Sequence, residues 1–305
     1  MENKPLVTIM IPVYNRENII EETLDCALNQ EFNNYEVVVV DNKSTDRTFE
    51  ILEEYAKKYK NLRIYQNEEN LGPVRNWKVG IEKSSGKYIK ILWSDDQISK
   101  DFLKKTVPIL EKNDDIGFVY TKTKIYSEDF ENTTYRYDKT GRYSSYDFIK
   151  AHLIGGKAVP VSPGNALFRL EDVKKNLLID IDNPKKLDFP RYGAGNDLLI
   201  FLLTANDYKY FYFIDEVLSF FRAHKGSFSI SNSLEEYYLY SKVYFLKRVN
   251  ENKYEKIKNN FYTVIKFKAS FSYMIEKEKF KIDYFFLIDK ILKKVYRGVI
   301  KIVKK

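Results

Sequence analysis

Two neighbouring carboxylates, Asp95 and Asp96, stand where the apolar run Tyr88-Ile-Lys-Ile-Leu-Trp93 stops. Hard oxygen ligands at a strand end suit Mg²⁺ or Mn²⁺, and such a cation suits a diphosphate. The same pair could cap a following helix, with Ser94 or Ser99 helping, and the local sequence leaves both uses open. Two further acids flank apolar runs: Asp41 closes Tyr35-Glu-Val-Val-Val-Val40, and Asp197 opens Leu198-Leu-Ile-Phe-Leu-Leu203. The chain has two His and one Cys, which argues against a zinc site and leaves Cys26 without an intramolecular disulfide partner. His224, in Arg222-Ala-His, follows a strand-like run, whereas His152 has no such context.

The elements that must position these residues follow from hydrophobic period. Leu6 to Val13 is a continuous apolar run of strand length, as expected of a strand covered on both faces. A helix over about 17–30, a strand at 35–40, a helix opening near Ser44 or Thr45, a short strand at 62–65, a helix over 72–81 and a strand at 87–93 come next. This β-α alternation in about 95 residues predicts a parallel sheet with right-handed crossovers and covering helices. Its polar connections, Asn15-Arg16, Asp41-Asn-Lys43 and Ser94-Asp-Asp96, converge on the carboxyl edge, where open α/β sheets bind ligands. The second half is less regular. It reads as a helix at 102–110, a strand at 116–121, a loop or hairpin over 122–145, a helix at 146–153, a strand after a turn at 163–169, a helix from Asp197, a strand at 209–221, and helix from 234 onward.

The chain has 305 residues, 44% hydrophobic and 31% charged, which is the composition of a globular protein. Its net charge is +8, yet 284–305 alone holds seven Lys/Arg against one acid. The body is therefore close to neutral, which speaks against nucleic-acid binding. In the tail, Ile288, Ile291, Leu292, Val295, Val299, Ile302 and Val303 form one helical stripe among cations. That pattern predicts a basic amphipathic helix on an anionic membrane surface, or one packed on protein. The expected location is cytoplasmic, peripheral on the inner face of the cell membrane. A nucleotidyltransferase would carry a glycine-rich phosphate loop after the first strand, and here that loop is Tyr14-Asn-Arg-Glu17.

Taken in order, Val7-Thr-Ile-Met-Ile-Pro-Val-Tyr-Asn15, Val38-Val-Val-Asp-Asn-Lys-Ser-Thr-Asp46, Asn70-Leu-Gly-Pro-Val-Arg-Asn76, Ser84 to Asp96 and Gly195-Asn-Asp197 resemble a family-two glycosyltransferase of the glycosyltransferase A fold. The resemblance covers about residues 5–230. It implies an α/β fold, a Rossmann-like mostly parallel sheet with flanking helices, followed by a C-terminal helical extension. It also implies a nucleotide-sugar-binding catalytic domain over 1–230 and a helical extension over 231–305. Pro12 and Tyr14 would flank the nucleotide base, Asn15 would lie beside it, and Asp41 would accept from a uracil N–H. Arg75 would lie near the base or diphosphate. Asp95 would be the main ligand of Mn²⁺ or Mg²⁺ and Asp96 a contact behind the ion's ligands or to the sugar, or the two the other way round, and His224 would complete the metal's coordination or touch the diphosphate. Asp197 would be the base that deprotonates an acceptor hydroxyl, giving inversion. The implied partners are a nucleotide diphosphate sugar, UDP-linked, and a glycan or lipid-linked glycan acceptor. Trp93, Asn42 and Asn196 depart from the family, each standing where an acid is common.

Overall fold

The computed structural model describes residues 4–223, 234–249, 251–267, 280–284, 286–288 and 290. Its first part alternates β1 (Val7–Val13), α1 (Ile20–Leu28), β2 (Tyr35–Asp41), α2 (Thr48–Lys58), β3 (Leu62–Gln66), α3 (Pro73–Lys83) and β4 (Tyr88–Ile91). Every residue of β1 is buried, as a run without polar alternation requires. β1 pairs in parallel with β2 and β4, and β2 with β3. Then follow β5 (Gln97–Ile98), α4 (Phe102–Lys112), β6 (Ile116–Tyr126), β7 (Glu131–Thr134), β8 (Gly141–Ser144), α5 (Ser145–Ile154) and β9 (Ala166–Arg169). The described chain closes with α6 (Leu170–Asn176), α7 (Phe189–Tyr192), α8 (Asn196–Asp207), β10 (Tyr210–Arg222), α9 (Glu235–Arg248) and α10 (Glu251–Lys266).

One sheet runs in the order β3-β2-β1-β4-β9-β6-β10-β5, with β7 on β6 and β8 on β10. β9 is antiparallel to β4 and β6, so the parallel half joins the second half through one reversed strand. Alternating side chains feed two layers. Ile9, Ile11 and Val39 meet Leu24 of α1, Leu52 of α2 and Phe102 of α4 on one face. Met10, Ile89 and Ile91 meet Trp77 of α3, Phe148 of α5 and Phe201 of α8 on the other. Each such large side chain contributes roughly 1.5–3 kcal/mol on leaving water. Phe245 of α9 and Tyr262 of α10 belong to this second layer, so the terminal helices share its core.

Three local readings are decided by the fold. Of the loop and the hairpin open for 122–145, the hairpin forms: β6 runs on to Tyr126 and pairs antiparallel with β7, and β8 pairs with β10. The residues of β7 and β8 are largely exposed or half-buried edge positions, which carry little hydrophobic period. α2 begins at Thr48, and Ser44 is used elsewhere, as described below. Neither Asp95 nor Asp96 caps a helix: the short strand β5 follows them, and the residue before α4 is Asp101.

The tail stripe lies almost wholly outside the described residues. At that end Phe267, Tyr284 and Ile288 are more than half exposed. Among the described residues no helix is long and apolar enough to cross a membrane.

Candidate active site

The register of the parallel strands sets one end of the site. Val13 of β1, Asp41 of β2 and Gln66 of β3 lie side by side at the carboxyl edge. Asp41 is fully buried. Its Oδ2 accepts from the Ser44 amide at 3.0 Å and from Gln66 Nε2 at 2.9 Å, and its Oδ1 accepts from the Ser44 hydroxyl. Ser44 Oγ in turn accepts from the Asn15 amide at 2.9 Å. Asn15 and Lys43 have φ of 51° and 63°, and Asn15 Oδ1 accepts from the Thr45 amide at 2.8 Å. Asn15 thus fastens the loop after β1 to the loop after β2, a turn role that suits an Asn in left-handed backbone. Pro12 is buried inside β1 opposite Val40, whereas Tyr14 is 40% exposed, with its ring open for stacking. Arg75 is exposed on the first turn of α3.

Asn42, where an acid is common, is buried in a lattice of amides. Its Oδ1 accepts from Asn67 Nδ2 and from the Leu71 amide, both at 3.0 Å, and its Nδ2 donates to Asn70 Oδ1 at 2.7 Å. A carboxylate could accept there but could not donate to Asn70.

Beyond β4 the chain turns sharply, with the Asp96 amide donating to the Trp93 carbonyl at 3.0 Å. Trp93 points back into the protein. Its ring lies 4.8 Å from that of Trp77, and its Nε1 donates to Ser162 Oγ at 2.7 Å. Asp95 is half-buried and Asp96 is buried. Asp96 Oδ1 accepts from the Arg222 amide at the end of β10, 3.0 Å away, and its carbonyl accepts from Thr23 Oγ1. Burial, then the charge of Asp95, push the Asp96 carboxyl well above the ordinary range. The Arg222 amide and the charges of Lys90 and Arg222 pull the other way. Lys90 is fully buried under Phe102, with Nζ donating to the Ile91 and Gly164 carbonyls. Burial holds its ammonium down at about 7.

Asp197 lies at the start of α8, following a left-handed Gly195. A Cβ on Gly195 would fall 2.0 Å from Ser241 Oγ of α9, so both backbone and packing demand glycine. Asp197 Oδ1 accepts from the Gly195 amide at 2.8 Å and the Leu198 amide at 2.7 Å, and Oδ2 accepts from the Tyr238 hydroxyl at 3.1 Å. Burial pushes the carboxyl up to about 7 against the pull of these donors. The neighbouring Asn196 is a fully buried anchor, donating to the Leu178 and Ile179 carbonyls.

Tyr135, after β7, has a left-handed φ of 58°, rare for a bulky side chain. Burial, then the charges of Asp197 and Asp96, push its phenol up to about 12. Tyr135, Tyr238, Trp77 and Lys90 were not singled out from sequence. Tyr238 stands 41 positions from Asp197 on an aromatic-rich helix, where nothing local marks it.

Among the described residues no group of three or more His, Cys, Asp and Glu gathers as a metal cluster. Asp95, with Asp96 already held on one oxygen by Arg222, offers an all-oxygen donor set too small to fill a cation's shell alone. That fits a Mg²⁺ or Mn²⁺ ion completed by phosphate and water. His224 lies outside the described residues.

A family model described as glycosyl transferase family 2 matches residues 8–177, from β1 through α6. An uncharacterized glycosyltransferase of Haemophilus influenzae is 39% identical over 116 residues, covering 38% of this chain and 36% of that protein. A putative teichuronic acid biosynthesis glycosyltransferase of Bacillus subtilis, TuaG, is 32% identical over 126 residues, covering 41% of this chain and 50% of that one. The match thus spans half or less of either relative's length. Residues 1–349 of S. aureus TarS, solved in complex with UDP-GlcNAc, share the fold with a TM-score of 0.67 at 22% identity, over 86% of this chain and 73% of that one.

Proposed function

Because the chain belongs to glycosyl transferase family 2, we propose that it moves a sugar from a UDP-linked donor to a hydroxyl of a glycan or lipid-linked glycan, inverting the anomeric centre. The observation that carries this reading is the contrast between two buried acids: Asp96, beside Asp95 and held by the Arg222 amide, suits a diphosphate-bound cation, and Asp197, on three neutral donors, suits a proton. Asp197, pushed up to about 7, is ionised at mildly alkaline pH and takes the proton of the acceptor hydroxyl. The acceptor oxygen bonds to the anomeric carbon as the bond to the diphosphate oxygen breaks, and the leaving nucleoside diphosphate keeps that electron pair. Asp41 and Tyr14 bind the base, the first as acceptor and the second by stacking, with Pro12, Asn15 and Arg75 beside them.

Bound by Asp95, with Asp96 and His224 in support, Mn²⁺ or Mg²⁺ would offset charge on the leaving diphosphate. The UDP assignment is supported by TarS, whose structure holds UDP-GlcNAc, and the polysaccharide context by TuaG. Exposed Phe267, Tyr284 and Ile288, next to the cationic tail, support docking on the inner face of an anionic membrane.

A thermal-shift screen of nucleoside diphosphates and nucleotide sugars, with and without Mn²⁺, tests the donor. UDP compounds should raise Tm in a metal-dependent way, and Asp95→Asn should remove the metal dependence. Failure of every nucleotide diphosphate to stabilise the chain overturns the reading. Co-sedimentation with anionic and neutral vesicles tests the membrane proposal separately.

A further inference from the structure

Helix α9 lies beyond residues 8–177 and beyond the sheet, yet it grips the loop that carries Asp197. Tyr237 packs against Phe189 and Tyr192, each 5.1 Å away between ring centres. One residue on, Tyr238 donates to Asp197 Oδ2 at 3.1 Å. One turn from Tyr237, Ser241 lies against Gly195 so closely that no side chain fits there. Three contacts within five residues of α9 thus set the path of the chain into Asp197.

We propose that Tyr238 is a positioning residue for the Asp197 carboxylate, holding it in one orientation and favouring its anion. The inference rests on the reading of Asp197 as the base. The geometry gives each carboxylate oxygen its own anchor. Oδ1 is committed to the Gly195 and Leu198 amides, which belong to its own helix start. Among the described residues Oδ2 has one donor, Tyr238, and an acceptor oxygen keeps a lone pair beyond a single donor. A hydroxyl arriving at Oδ2 would then meet an oxygen already fixed in place. Among the described residues, Tyr238 from α9 is the titratable group bonded to Asp197, and the Asp197 charge also acts on the Tyr135 phenol in the segment after β7. The Tyr238 hydroxyl is itself held strongly in its protonated form by burial and by Asp197, so it stays a donor across the working pH range. The site is therefore built from two parts of the chain: the family-matched sheet supplies the donor end, and the C-terminal helices tune the proton-accepting end.

The test is the pH dependence of kcat/KM. In the wild type its acidic limb reports the base of the free enzyme. Tyr238→Phe keeps the ring and removes one hydrogen bond to the carboxylate, which corresponds to a rise of the limb by about one pH unit. Activity should drop about tenfold near pH 6 and return toward wild type above the limb, with the donor KM unchanged. A merely structural role would lower the rate by the same factor at every pH. p-Aminophenylalanine at position 238 returns a weaker donor, and its limb should fall between those of the Phe variant and wild type. It carries the test alone if Tyr238→Phe does not fold, as judged by UDP binding. Tyr244→Phe is the control, on the same helix but bonded to Arg248. A limb unmoved in folded position-238 variants overturns the inference while leaving the base assignment intact if Asp197→Asn is inactive. Full transfer by Asp197→Asn overturns the base assignment itself.

Discussion

Asp96 and Asp197 are both buried carboxylates, and they are held in opposite ways. The Asp96 side chain accepts from the Arg222 amide, and it sits next to the charge of Asp95. Asp197 has three neutral donors, two of them the amides of its own helix start. A buried carboxylate beside a like charge ionises readily only when a cation arrives. A carboxylate surrounded by oriented neutral dipoles can ionise and re-protonate near neutral pH without one. The first environment suits a charged ligand and the second suits a proton. Burial alone does not separate these roles. The donors and the neighbouring charge do.

The largest expected effect separates the two roles. Asp197→Asn keeps shape, since an amide oxygen still accepts from Gly195 and Leu198, and it removes the base. Transfer should fall about 10³-fold, while affinity for UDP in the presence of Mn²⁺ stays within about twofold. Asp96→Asn should instead weaken metal-dependent UDP binding about 10- to 100-fold. Steady-state kinetics and calorimetric binding on the two variants check this. The contrast breaks if both variants lose donor affinity equally.

Stability gives the next effect, with a defined sign. The folded value of Asp197, about 7, lies above the ordinary 3.8. Between those pH values the unfolded chain releases the proton while the folded chain keeps it. The stability of the protonated form is complete below about pH 4, declines as pH rises, and levels off above about 7. Asp197→Asn lacks this loss. It should exceed wild type by up to about 4 kcal/mol at pH 8 and match it near pH 4. Urea denaturation at both pH values measures the difference, and an equal difference at the two would show that burial does not perturb Asp197.

These two ends were unequally legible in the sequence. The strands β1 to β4 stood out because their apolar runs are continuous and their order is local, and the register then carried Asp41 to the edge beside Val13. Ser44 and Thr45 stand where the sequence opens a helix, a position that favours a cap. The actual partners of Ser44, which are Asp41 and Asn15, depend on two strands meeting side by side. Lys90 was passed over inside an apolar run, because sequence alone does not say that a lysine will be fully buried with its ammonium on two carbonyls. Tyr238 needed α9 to fold back on α8, a contact that no local period encodes. The edge strands β7 and β8 hid in polar sequence because little of either is buried.

The smallest effect concerns Trp93, the departure from the family that sits closest to the acids. In the slot where an acid is common, the Trp93 ring lies on protein partners, Trp77 and Ser162. The adjoining Gly164 has no room for a Cβ, which would lie 2.7 Å from Trp93 Nε1. Trp93→Phe keeps an aromatic face against Trp77, loses the N–H donated to Ser162, and leaves a small gap. A cost of about 1–2 kcal/mol in stability is expected. Ser162 Oγ still accepts from the Gly164 amide, which limits the loss. Because the ring is taken up by Trp77 and Ser162, metal-dependent UDP affinity should change by less than about threefold, well short of the effect at Asp96. A larger drop in affinity with little loss of stability would place Trp93 at the ligand, and would move the boundary between the donor site and the core.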